Sequence, residues 1–186
     1  IVAAFEVERL GPGHFEHECT SQPNSTGLAG TVDFVGSTSL GLDDLILSAD
    51  NLPAFTFGLF IQSRDAGQFQ LPGGILCVQQ PFYRLPVEQA AGNRLTHRLR
   101  ITSPPTLNQQ IFAGSTWHFQ AWYRDGLGHG STLTDGLEVT FNKGPALLET
   151  ASAALSSAKT APHSVRTTLW TLVRASAASS EAGRAA

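Results

Sequence analysis

The alternation of apolar and polar side chains is clearest between residues 114 and 141. Within residues 116–124, one face carries Trp117, Phe119, Ala121 and Tyr123, and the other carries His118, Gln120, Trp122 and Arg124. A second alternating stretch covers residues 133–141 and is interrupted at Asp135 and Gly136. Because successive side chains of a β-strand point to opposite faces, the two stretches and their glycine-rich connection predict an antiparallel pair with one buried face.

Shorter stretches upstream have the same character. We expect further strands near residues 31–35, 45–49, 54–61, 75–78, 82–85 and 94–101. In the last of these, Leu95, His97, Leu99 and Ile101 should point inward, and the arginines outward. No helical pattern separates the strands, so parallel crossovers are not expected. About eight strands at this spacing predict an all-β antiparallel sandwich with a jelly-roll or immunoglobulin-like arrangement.

The composition divides the chain into three regions. Residues 1–16 read as an N-terminal extension, residues 17–142 as the β-sandwich domain, and residues 143–186 as an Ala/Ser-rich tail that is weakly helical or disordered. Acidic residues outnumber basic ones before the tail, and the reverse holds within it.

The net charge of −3 gives no argument for a nucleic-acid partner, and no apolar run reaches the length of a membrane span. Because the chain begins at Ile1 and contains no Met, we expect it to be a processed or excised segment.

Two cysteines, Cys19 and Cys77, leave two readings open. They form a single bridge, or they are two separate buried thiols.

Several short motifs are distributed through the body of the chain. They are Cys19 with residues 24–27, then residues 45–53, 57–60, 76–78, 84–86, 113–125 and 134–141. In these motifs, the segment 17–142 resembles a β-sandwich module found towards the C-termini of large exported bacterial proteins, most of them uncharacterised. The resemblance implies export, a bridge between Cys19 and Cys77, and a non-catalytic accessory role such as surface display, adhesion or glycan contact. It supplies no catalytic residues.

The polar face of residues 116–124 is the first candidate ligand-binding surface. Trp122 offers a ring that stacks on a pyranose, and His118, Gln120 and Arg124 offer polar groups for its hydroxyls. The alternatives are that a loop or the tail covers this face, or that Trp122 packs on Arg98 or Arg100 through a cation–π contact.

An outward row of arginines extends the candidate ligand surface. Arg94, Arg98 and Arg100, with Arg84 and Arg124, suit an acidic polysaccharide or the carboxylates of a protein partner. The alternative is that the row only balances the acidic residues of the domain.

Catalytic and metal-binding alternatives rest on three groups of residues. Asp125, His129 and Ser131 lie around one turn and would serve a small secreted hydrolase, although no G-x-S-x-G motif is present. Near the N-terminus, His14, Glu16 and His17 are potential metal ligands, with a solvated acidic edge as the alternative reading. Calcium is a further candidate, through carboxylates at loops and strand ends: Asp43, Asp44, Asp50, Asp125 and Asp135.

The sequence therefore predicts a secreted or cell-surface module that binds a partner, with a polysaccharide as one candidate, or has a structural role. The rival hypotheses are a small secreted hydrolase that uses His129 or His118 with a nearby carboxylate, and a self-assembling subunit whose tail packs between copies.

Overall fold

The computed structural model describes residues 14–126 and 130–144, and within them the chain is all β. The strands are β1 (Phe15–Glu18), β2 (Thr31–Val35), β3 (Ile46–Asp50), β4 (Phe57–Ser63), β5 (Ala66–Leu71), β6 (Gly74–Val78), β7 (Tyr83–Arg84), β8 (Glu88–Gln89), β9 (Leu95–Arg98), β10 (Thr116–Asp125) and β11 (Gly130–Thr140). One 3₁₀ turn covers Leu107–Gln109. None of the described residues forms a helix with the length and apolarity needed to cross a membrane. The predicted all-β class is confirmed, with eleven strands among the described residues instead of about eight.

Of the predicted domain boundaries, only the N-terminal one can be compared with a described strand. β1 begins at Phe15, so the strand takes up the last two residues of the predicted N-terminal extension. The helical or disordered tail predicted for residues 143–186 lies outside the described residues, apart from Lys143 and Gly144.

Strands β10 and β11 form the centre of the larger sheet, as the alternation predicts. The sheet has the order β1-β11-β10-β4-β7, with β8 also paired to β4, and every pairing is antiparallel. Trp117 lies opposite Val139 and Phe119 opposite Leu137. This register brings these four residues to the same face, which becomes the core side of the sheet. A register shift between Gln120 and Trp122 places Leu133 opposite Trp122, on the other face.

A three-stranded sheet, β2-β3-β9, supplies the other side of the main core. Leu47 and Leu95 from this sheet pack with Trp117, Phe119 and Tyr123 from the larger one, and all five are buried. Burying one such side chain stabilises the fold by roughly 1.5–3 kcal/mol. The inward set predicted for the β9 region is confirmed for the leucines and Ile101.

The hairpin β5–β6 forms a third layer on the opposite face of the larger sheet. Its inner residues Leu76 and Val78 pack on Ile61 and Leu133, which makes a second and smaller apolar cluster. The sequence predicts β6 but not β5, because the residues of β5 are exposed or nearly so and show no apolar stripe. The hairpin covers most of the sheet face on which the sequence places a ligand surface.

Candidate functional site

Gln120 lies beneath the hairpin and is fully buried. Its Oε1 accepts a hydrogen bond from the backbone N–H of Cys77 at 3.0 Å. Its Nε2 donates to the carbonyl oxygens of Ile75 at 2.9 Å and Thr134 at 2.7 Å. The carboxamide therefore uses its hydrogen-bonding capacity inside the protein, and the predicted exposed face of four residues is not formed.

A disulfide between Cys19 and Cys77 attaches the hairpin to the residue that follows β1. The two Cα atoms are 6.3 Å apart, and the cysteines are separated by 58 positions in sequence. Closing a loop of this length stabilises the folded state by about 4 kcal/mol in the loop-entropy model. The bridge that the resemblance implies is confirmed.

His118 is also buried, at the margin of the hairpin. Its Nδ1 donates to Glu18 Oε2 at 2.8 Å and lies 4.0 Å from Glu138 Oε2. In the part of the chain that the structure describes, these three residues are the one group of histidine and carboxylate side chains close enough to share a cation. An imidazole with two carboxylates is a donor set that suits Zn²⁺, but the hydrogen bond to Glu18 already satisfies Nδ1 without an ion.

The three metal ligands predicted near the N-terminus do not converge on one point. His14 Nε2 lies 3.9 Å from Glu16 Oε2, and both side chains are exposed. His17 follows on the opposite face of β1, where its Nδ1 is 3.1 Å from Asp135 Oδ2. The alternation along the strand separates His17 from the other two residues.

Trp122 and Arg124, the other two residues of the predicted ligand face, line a cavity of about 530 Å³ at the end of the sheet that the hairpin leaves open. The guanidinium of Arg84 lies 5.4 Å from the Trp122 ring centroid. The cation over this ring is thus Arg84, and neither Arg98 nor Arg100, which come from the other side of the fold. We call this cavity the Trp122 pocket.

The rest of the Trp122 pocket combines apolar and polar groups. Phe57 and Val87 contribute to its lining with 53% and 63% of their surface exposed, and Ser131 adds a hydroxyl. Phe57 belongs to the apolar side of β4 that points away from the main core, where Leu59 and Ile61 continue under the hairpin. The pocket therefore offers two aromatic rings and two guanidinium groups on one concave surface.

Arg98 and Arg100 line a separate cleft of about 640 Å³. Arg98 Nη2 donates to the backbone carbonyl of Asp43 at 3.0 Å. Arg94, the third member of the predicted row, is exposed but lies outside the cleft and pairs with Asp50 at 2.6 Å. Four of the five predicted arginines are therefore divided between two cavities, and Arg94 lines neither.

The residues of the catalytic alternative are only partly described. Asp125 and Ser131 lie on opposite faces of the β10–β11 pair. Asp125 shares the buried face of β10 with Tyr123, whereas Ser131 pairs with Arg124, which is on the outer face. Asp125 Oδ2 accepts from the backbone N–H of Ser25 at 2.9 Å. His129 lies outside the described residues. Asp125 and Ser131 are thus not brought together as a catalytic pair.

The loop carboxylates considered for calcium are used in local hydrogen bonds. Asp43 accepts from Ile101 N and from the hydroxyl of Thr102, and Asp44 accepts from Ser37 N. The remaining three have separate partners: Asp50 with Arg94, Asp125 with Ser25 N, and Asp135 with Val32 N. Each one closes its own turn or strand end, and the five do not converge on one point.

Burial perturbs two titrating groups near the centre of the fold. Burial raises the pKa of Asp135 above its ordinary value, although the N–H of Val32 and the ring of His17 act in the opposite direction. Burial likewise raises the pKa of Tyr123, whose hydroxyl accepts from Asn24 Nδ2 at 3.1 Å. Tyr123 belongs to the core behind Trp122, so neither group offers an exposed acid or base in the Trp122 pocket.

The chain matches no protein-family model, no curated protein and no solved structure. The two cavities are therefore the features of the described residues that bear on function.

Several cavity residues were not predicted as ligand contacts. Phe57 and Val87 look like ordinary core residues in the sequence, and Gln62 comes directly after the strand predicted for residues 54–61. A signal was present for Gln62, because it continues the parity of the buried Phe60 and thus places a carboxamide on the core side.

Proposed function

We propose that this domain is a non-enzymatic binding module of an exported protein and that its ligand is a carbohydrate held in the Trp122 pocket. The single observation that carries the proposal is the placement of Trp122, Phe57, Arg84 and Arg124 around one concave surface. We also propose that the two facing sheets belong to a β-sandwich of the jelly-roll or immunoglobulin-like kind.

The chemistry of the pocket supports a sugar ligand. The C–H face of a pyranose loses contact with water when it lies on an indole or phenyl ring, which favours binding. The guanidinium groups of Arg84 and Arg124 donate hydrogen bonds to ring hydroxyls or to an acidic substituent. The cation–π contact with Arg84 holds the Trp122 ring in one orientation, which lowers the entropy lost on binding.

Export is supported by the disulfide, because such bridges persist in oxidising compartments. The sequence resemblance to modules of exported bacterial proteins points the same way.

The self-assembling subunit remains a second proposal with its own test: light scattering on the chain with and without residues 144–186 should give a larger particle only for the longer form.

The hydrolase hypothesis is less well supported than the binding module. It needs a nucleophile, a base and an orienting acid on one side of the fold. Asp125 and Ser131 lie on opposite faces of their strand pair. Turnover of an ester or glycoside panel that survives repurification and is lost in His129→Ala would favour this alternative.

A glycan array with three forms of the full chain tests the binding proposal. We expect the wild type to bind a defined set of glycans and Trp122→Ala to lose that signal. Phe112→Ala is the matched control, because it removes an exposed ring that does not line the pocket and should leave the signal unchanged. Equal binding by all three forms, or binding only to proteins on the same array, would contradict a carbohydrate ligand in this pocket.

A further inference from the structure

The side-chain oxygen of Gln62 is an unpartnered polar atom inside the fold. Gln62 is 2% exposed, and its Oε1 has no hydrogen-bond partner among the described residues. A buried amide without a partner is unfavourable, and most such groups in proteins are satisfied by protein, water or ligand. The position follows from the strand, because Gln62 lies opposite Phe119 on the core side of β4.

Gln62 lines the cleft of about 640 Å³ that also contains Arg98 and Arg100. We call it the Gln62 cleft. Its walls include apolar surface from Leu85 and Pro104. A buried carboxamide, two guanidinium groups and an apolar wall are the elements of a site for a small ligand.

The charges that face the Gln62 cleft favour an anion. Arg98 and Arg100 contribute two positive groups, and Arg100 has no ion-pair or hydrogen-bond partner among the described residues. The facing titratable groups on the neighbouring strands are His97 and Glu88, and Glu88 Oε1 is already bonded to His97 Nδ1 at 3.2 Å. The cleft therefore carries two guanidinium charges against the one carboxylate of Glu88. The N–H donors of Arg100 are the ones without a partner among the described residues, and a guanidinium binds carboxylates through such paired donors.

We propose that the Gln62 cleft is a second binding site, and that it takes a small hydroxylated carboxylate of the uronic-acid class. Arg100, assisted by Arg98, holds the carboxylate. The carboxamide of Gln62 bonds a hydroxyl of the same molecule, and the apolar wall packs against the C–H face of the ring. The site is separate from the Trp122 pocket and does not depend on the function proposed there.

The test is a titration of the full chain carrying Trp122→Ala with D-glucuronate, and in parallel with D-glucose, which has the same ring without the carboxylate. Using this variant removes the main element of the other pocket, so failure of one proposal can be told from failure of the other. Nuclear magnetic resonance is the readout. We expect glucuronate to shift the side-chain amide signals of Gln62 and the Nε–H signal of Arg100, and glucose to leave them in place.

Two further substitutions test the assignment of roles. Arg100→Gln should weaken glucuronate binding by about tenfold or more, because it removes a charged hydrogen-bond donor. Arg94→Gln removes the same charge from the same exposed row outside the cleft, and should change the affinity by less than about twofold. Gln62→Met keeps the shape of the side chain, should weaken binding by about tenfold, and should not lower the Tm.

Three results would overturn the proposal: unmoved Gln62 signals at saturating glucuronate, equal shifts with glucose, or equal weakening by Arg94→Gln and Arg100→Gln. The first means that water alone satisfies Gln62, and the last means that only the general charge of the surface attracts the anion.

A tetrauronide titrated in parallel distinguishes the source of the ligand. Tighter binding of the oligomer indicates an acidic polysaccharide, and equal binding indicates a free sugar acid.

Discussion

The backbone N–H of Cys77 donates a hydrogen bond to Gln120 Oε1 at 3.0 Å, so the hairpin that carries the disulfide is attached to the centre of the larger sheet. The same carboxamide donates to carbonyl groups on both sides, those of Ile75 and Thr134. A polar residue on the outer face of β10 thus serves as the contact between two layers. On this outer face, the surface available to a ligand is consequently restricted to the end of the sheet around Trp122.

Replacing Gln120 with leucine should destabilise the domain strongly. The substitution leaves the N–H of Cys77 and the carbonyl groups of Ile75 and Thr134 without partners inside the protein, so we expect a loss of about 3 kcal/mol in the free energy of unfolding. Urea denaturation followed by tryptophan fluorescence measures the change. Gln68→Leu, on the exposed strand of the same hairpin, is the control and should change the free energy by less than about 0.5 kcal/mol. Equal effects of the two substitutions would show that Gln120 does not attach the hairpin.

Gly136 should be equally intolerant of a side chain. A Cβ at this position would lie 2.8 Å from Cys77 Cβ and 3.3 Å from Glu18 Cβ, closer than ordinary contact. Gly136→Ala therefore has to displace the hairpin, and we expect a loss of about 1–3 kcal/mol in the free energy of unfolding. At Gly126 a Cβ would meet nothing within 4 Å, so Gly126→Ala is the matched control and should be close to neutral. A neutral Gly136→Ala would mean that the hairpin does not pack as described.

Asp135 should make stability depend on pH in a specific direction. Because burial raises its folded-state pKa above the ordinary value of 3.8, the folded chain keeps the proton at pH values where the unfolded chain has released it. The resulting stabilisation is present in acid and is lost as the pH rises through the folded-state pKa. Asp135→Asn keeps an acceptor for the N–H of Val32 and removes the titration.

We therefore expect the free energy of unfolding of Asp135→Asn, relative to the wild type, to increase from below pH 3.8 to neutral pH. Urea denaturation of both proteins across this range provides the comparison. A difference that does not change with pH would contradict the assignment, and a decrease would mean that His17 and Val32 stabilise the charged form more than burial opposes it.

The architecture of the central strands is predictable because alternation depends only on strand geometry. Trp117, Phe119 and Tyr123 share a parity, so alternation along the strand places all three rings on the buried face. The cover over the other face is not predictable in the same way. Residues 66–71 carry few apolar side chains, so nothing local indicates that they form a strand, and the hairpin is held by Gln120 and a disulfide between distant positions.

The candidate sites were predictable only in part for the same reason. Alternation correctly places Trp122, Arg98 and Arg100 away from the main core, but it does not indicate which outward residues meet around one cavity. The meeting of Trp122 with Arg84 depends on β7 pairing with β4, a contact between segments that are far apart from β10 in sequence. Such long-range pairings depend on the order of the strands in the sheet, and the periodicity of a single strand carries no information about that order.

The most direct test of the account is a titration of the isotope-labelled full chain with the glycan that gives the strongest array signal, followed through the indole N–H resonance of Trp122. We predict a saturable shift of this resonance and of the Nε–H signals of Arg84 and Arg124, with the resonance of the buried Trp117 unchanged. Saturable binding that leaves Trp122, Arg84 and Arg124 unperturbed would contradict the central claim.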